Sequence, residues 1–90
     1  MRIRWTAPAA QDLYRITSYI RRDNPEAARH VGKRIYDACS SLINAPNRGR
    51  TGKEPDTREL VLSPLPYIAV CRVRESVIEI LRIWHGAQKR

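Results

Sequence analysis

The stretch "RELVLSPLPYIAVCRV", residues 58–73, opens on Arg58 and Glu59, holds Tyr67 mid-way and Arg72 near its end, and His85 follows. Arginine presents a planar fork that pairs with phosphate or carboxylate. Histidine exchanges a proton near neutral pH. Residues of these types serve a reaction centre, a docking surface, or a charged sheet edge facing water, and spacing alone leaves the three open. The two cysteines, Cys39 and Cys71, have neither CxxC nor metal spacing. They read as buried free thiols in a reducing compartment, and no metal or cofactor is expected.

The totals narrow the field. Ninety residues are enough for one domain spanning 1–90, with a single modest core. A hydrophobic fraction of 42% excludes wholesale disorder. The formal charge is +8, and fourteen of the seventeen cations are arginine, which favours a polyanionic partner: RNA, DNA or an acidic protein. The chain begins "MRIRW" with no secretory pattern, and its longest apolar run is far too short to span a bilayer. A cytoplasmic protein with no membrane role is expected.

The elements that must position these residues follow from periodicity. "RIRW" alternates and reads as a first strand. Thr6 caps a helix that tolerates Pro8 in its first turn, with Ala9, Leu13, Ile16 and Ile20 as its apolar stripe and Tyr19 broadening it. Asn24 and Pro25 start a second helix whose seam runs Ala28, Val31, Ile35, Ala38, Cys39, Leu42 and ends near Asn44. The short link makes the two an antiparallel hairpin. Residues 45–57, with two Pro and two Gly, read as a loop. "RELVLS", "YIAVCRV" and "VIEILRIWH" form an antiparallel meander. The last of these is apolar on both faces, with Val77, Leu81 and Ile83 on one and Ile78, Ile80 and Trp84 on the other, so it belongs inside the sheet, flanked by the first strand. The expected fold is α+β, ordered β-α-α-β-β-β, a mainly antiparallel sheet with the helical hairpin on one face.

This order, together with "AAQDLYRITSYI", "NPEAA", "GRTGKEPDTREL", "PYIAVCRV" and "ILRIWHGAQKR", resembles the RelE/ParE superfamily of toxins from bacterial toxin–antitoxin modules over nearly the whole chain. The resemblance implies a cognate antitoxin that wraps the toxin. It leaves two targets: RelE-like members cleave messenger RNA in the ribosomal decoding site without metal, and ParE-like members poison DNA gyrase.

Under the nuclease alternative the resemblance assigns catalysis to His85, which lies where several nuclease relatives carry a histidine, with Arg58 and Arg72 as the cations. Such cleavage needs the 2′-hydroxyl deprotonated, the phosphorane charge stabilised and the leaving oxygen protonated. The departure is Ile68: after the tyrosine, the nuclease branch tends to place a phosphate-stabilising arginine, and this chain has a hydrocarbon. Arg72 lies on the same strand face but roughly 13 Å further along. Arg48, Arg50, Lys53, Tyr67 and Arg82 are candidates for target or nucleic-acid contact, and Trp84, Arg58 and Glu59 for the antitoxin. The reading closest to the residues is a ParE-like toxin acting on gyrase. The alternatives are an mRNA endoribonuclease and a non-toxic corepressor acting with its antitoxin.

Overall fold

The computed structural model describes residues 1–86. Its elements are β1 (Arg2–Trp5), α1 (Ala7–Arg21), α2 (Pro25–Ser40), β2 (Arg50–Thr51), β3 (Arg58–Val61), β4 (Tyr67–Arg74) and β5 (Val77–His85), with a 3-10 turn at Ser41–Ile43. Both helices start on their expected caps. The Thr6 hydroxyl accepts the Ala9 N–H at 3.3 Å and the Asn24 side chain accepts the Ala27 N–H at 3.0 Å. Each helix carries proline in its first turn, where a missing donor is harmless. Three residues, Arg22 to Asn24, turn α1 back onto α2.

The sheet runs β1-β5-β4-β3-β2, with β1 parallel to β5 and every other pair antiparallel. The twice-apolar β5 therefore sits inside the sheet beside β1, as its composition requires. Ala9 from α1 and Ile35, Cys39 and Leu42 from the second helical segment bury against Leu60, Leu62, Ala69, Cys71, Ile78, Ile80 and Ile83. The helical hairpin covers this face, and the other face carries most of the sheet's charge. The α+β architecture with a hairpin on one face is the expected one.

Three details depart from expectation. The loop before β3 contains the two-residue strand β2, paired with β3 through Arg50–Glu59 and Thr51–Arg58. Gly49 permits it: its φ is 106°, and a Cβ there would lie 2.9 Å from the Glu59 carbonyl oxygen, so only glycine lets the chain cross so closely. Second, β5 carries a bulge. Val70 faces Arg82 while Cys71 faces Ile80, which leaves Leu81 without a partner. The extra residue shifts the alternation, so Ile83 joins Ile78 and Ile80 in the core instead of opposing them. Third, Tyr19 is 70% exposed rather than part of the buried stripe, and Tyr14 and Tyr36 are exposed with it.

Cys39 and Cys71 are free and buried. Burial pushes the Cys39 thiol up to about 12 and raises Cys71 as well, so neither is a nucleophile at neutral pH. Among the described residues no helix is long and apolar enough to cross a membrane.

Candidate functional site

A cleft opens between α1 and the adjoining ends of β4 and β5, where Asp12, Arg15 and Tyr19 face Tyr67, Arg82, Trp84 and His85. Its centre is Asp12, only 3% exposed. On this stretch β5 has run past Trp5, the last residue β1 pairs with it, and Asp12 takes the place of the missing strand. Its Oδ2 accepts the Ile83 N–H at 2.9 Å and Arg82 Nε at 2.7 Å, and its Oδ1 accepts Arg82 Nη2 at 3.0 Å and Arg15 Nη1 at 3.2 Å. Burial alone would raise the carboxyl's pKa, but the Arg82 and Ile83 hydrogen bonds and the Arg82 charge outweigh it and hold it below the usual carboxylate value. The same pairing raises Arg82.

Arg82 also lies 4.2 Å from the centre of the Trp84 ring, a cation–π contact. Tyr67 meets His85 edge-on, ring centres 5.5 Å apart and planes at 83°. Burial raises the Tyr67 phenol, which keeps its proton in place at neutral pH. Tyr67, Arg82, Trp84 and His85 are thus brought together as their strand positions imply.

Arg58 and Arg72 are not part of this group. Arg58 pairs in register with Cys71, four residues along β4 from Tyr67, which is roughly 13 Å, and donates to the Gly49 carbonyl at 3.3 Å. Arg72 is on the sheet face opposite Tyr67 and His85, where its Nε and Nη2 donate to Glu79 Oε1 at 3.1 and 3.0 Å. The grouping of His85 with these two cations that the nuclease alternative requires does not form, because Arg58 lies beside Cys71, four residues from Tyr67, and Arg72 is turned to Glu79. Ile68 is buried, in register with Trp84 and Val61.

The loop cations are elsewhere again. Arg48 donates to Ser41 Oγ at 2.5 Å, Arg50 holds Glu59 at 3.1 Å, and Lys53 is exposed. Trp84 is half-buried, with the Arg82 guanidinium over its ring. Arg58 and Glu59 are adjacent on β3 and project to opposite faces. Trp84, Arg58 and Glu59 therefore do not share one patch.

Sequence reasoning missed Asp12. The signal was present: an acid three residues after Ala9 and four before Ile16 falls inside the apolar stripe of α1, and an acid there needs partners. It also missed the aromatic surface of the hairpin. Tyr14, Tyr19 and Tyr36 are 69%, 70% and 54% exposed, with Tyr36 stacked on Trp5 at 6.2 Å between centroids. Among the described residues no three of His, Cys, Asp and Glu gather as a metal site.

Residues 3–90 match the family described as the ParE toxin of type II toxin–antitoxin systems, parDE. A protein of Sinorhizobium fredii described as a toxin, Y4kP, is 44% identical over 88 residues, covering 98% of this chain and 91% of that one. Toxin RelE2 of Caulobacter vibrioides is 38% identical over 84 residues, covering 93% of each. A solved structure titled as the chromosomal ParDE system from P. aeruginosa superposes with a TM-score of 0.88 at 33% identity, covering 94% of this chain and 95% of that one.

Proposed function

The chain belongs to the ParE toxin family of type II toxin–antitoxin systems, and from that premise we propose that it arrests bacterial growth in the cytoplasm by interfering with DNA gyrase. As the toxin of such a module it has an antitoxin partner. We infer that this partner neutralises it by covering the helical hairpin and the sheet groove, the exposed Tyr14, Tyr19 and Tyr36 being the aromatic anchors that interface cores favour.

The observation that carries the gyrase reading is the dispersal of the nuclease set. A phosphate held at His85 would meet neither Arg58, a strand-length away, nor Arg72, on the other face, and the position after Tyr67 holds the hydrocarbon of Ile68. Inducing the chain without its antitoxin tests it. Supercoiling by purified gyrase should fall in the presence of the chain, and cellular messages should stay intact while DNA-damage signalling rises. Prompt codon-positioned cutting of messages, with gyrase unaffected, refutes it. Absence of any growth effect would favour the corepressor reading.

One observation favours a second reading, ribosome-dependent RNA cleavage. Tyr67, Arg82 and His85 do share a cleft, and a histidine beside a protonated phenol is a usable acid–base pair. Arg82, however, is engaged by Asp12.

A further inference from the structure

The face of the sheet away from the helices carries an arrangement that neither reading uses. At its β1 corner, β5 is flanked by β1 on one side and β4 on the other. Arg2 and Arg74 lie in register with Val77, and Arg4 and Arg72 with Glu79. Four guanidinium groups thus surround one carboxylate and one valine. Along each strand the two arginines are two residues apart, roughly 6.7 Å, and the two rows are separated by two strand spacings, roughly 9.5 Å.

Glu79 offsets one of these four charges and orders two of the arginines. Its Oε2 accepts from Arg4 and its Oε1 accepts twice from Arg72, which restrains two long side chains and removes part of the entropy cost of holding them for a ligand. Arg4 keeps 55% of its side chain exposed and Arg72 keeps 28%. Arg2 and Arg74 are exposed and form no ion pair among the described residues. One row further in, Arg50 on Glu59 continues the basic surface toward β2.

We propose that this corner, built from Arg2, Arg4, Arg72 and Arg74, docks the phosphate backbone of a nucleic-acid duplex. Arginine forks match phosphate oxygens bidentately. The choice of duplex over single strand rests on what the corner lacks: proteins that hold single strands combine cations with aromatic platforms on which bases stack, and the positions between these arginines are Val77 and Glu79. Among the described residues of the sheet, the aromatic side chain on this face, Trp84, is at the far end of β5, beside Ile68. Phosphates are therefore the groups this surface can read, and it reads them without sequence preference. The inference is independent of gyrase, since it concerns the chain and nucleic acid alone.

The test is fluorescence anisotropy of a labelled 20-base-pair DNA duplex titrated with the full chain across a salt series. Binding at 50 mM salt should weaken with a log–log slope of about −2 to −4, as expected for two to four phosphate contacts. The double variant Arg2→Ala/Arg74→Ala should flatten that slope by about two, and Arg2→Lys/Arg74→Lys should restore it. Removing the same charge from the end of α1, with Arg21→Ala/Arg22→Ala, should leave the slope nearly unchanged. Both alanine pairs are at exposed positions, and a thermal melt of each variant checks that it is folded. No binding at 50 mM salt, equal flattening by the α1 pair, or tighter binding of a single strand of the same length would each overturn the proposal.

Discussion

Replacing Asp12 by alanine should be among the most damaging single changes outside the apolar core. The carboxylate is 3% exposed and accepts from Arg82 twice, from Arg15 and from the Ile83 amide. Breaking a buried ion pair from one side costs ~3–5 kcal/mol when the abandoned partner stays buried. Here Arg82 keeps 38% of its side chain exposed and Arg15 keeps 70%, so both rehydrate, and that part falls to ~2 kcal/mol. The Ile83 amide loses its acceptor on a buried stretch, which adds ~1 kcal/mol. The total of ~3 kcal/mol lowers the melting temperature of a domain this size by roughly 12–24 °C.

The pH dependence supplies a second check. The Asp12 carboxyl is held below its ordinary value in the folded state, so its contribution is fully present above the unfolded carboxyl value, about 3.9, and is lost as pH falls through the lower folded value. Circular-dichroism melts at pH 7, 5 and 3 should therefore show a wide gap between wild type and Asp12→Ala at pH 7 and 5 that narrows at pH 3. Asp12→Asn keeps an acceptor for Ile83 and resembles the protonated acid. It should cost about half as much at pH 7 and approach wild type at pH 3. An Asp12→Ala melt within 4 °C of wild type at pH 7, or a gap that does not narrow in acid, would refute the assignment of Asp12 as the clasp between α1 and β5.

Other expectations are simpler. Cys39 and Cys71, both buried and with raised pKa values, should react with a thiol reagent at least tenfold more slowly in the native chain than in denaturant; fast native labelling would show that the core opens. Gly49→Ala should destabilise by ~1–3 kcal/mol, because its φ of 106° and the 2.9 Å approach to the Glu59 carbonyl strain any side chain, and a thermal melt measures it. His85→Ala should leave growth arrest intact if gyrase is the target, whereas a general acid or base at that position would lose on the order of a hundredfold in activity.

Elements that depend on local rules were legible in the residues. Thr6 and Asn24 cap the helices because their side chains answer orphan amides, and β5 lies inside the sheet because both its faces are apolar. The site was harder to read for two reasons, both non-local. Leu81 is inserted opposite a continuous β4, and nothing in "VIEILRIWH" marks which residue will lose its partner. A strict alternation therefore put Ile83 on the wrong face. Asp12 was passed over because its partners Arg82 and Ile83 are about seventy residues away. Its place in the stripe of α1 was the single local clue.

These two features also bear on the choice of target. For the cleft at His85 to cleave RNA, some guanidinium must turn to the scissile phosphate, and Arg82 is the near candidate along with Arg15. Arg82 already gives Nε and Nη2 to Asp12 and lies over the Trp84 ring. Withdrawing it strands a carboxylate that is 3% exposed, at a cost of ~3 kcal/mol or more. One well-placed donor to a developing negative charge returns ~3–4 kcal/mol in the transition state. The two nearly cancel, so recruiting Arg82 yields little acceleration. Arg15 reaches the cleft from α1 with 70% of its side chain in water, where a screened cation gains little from a phosphate. The cations near the imidazole are thus spent on holding α1 against β5, and the surface left for a large partner is the one around them.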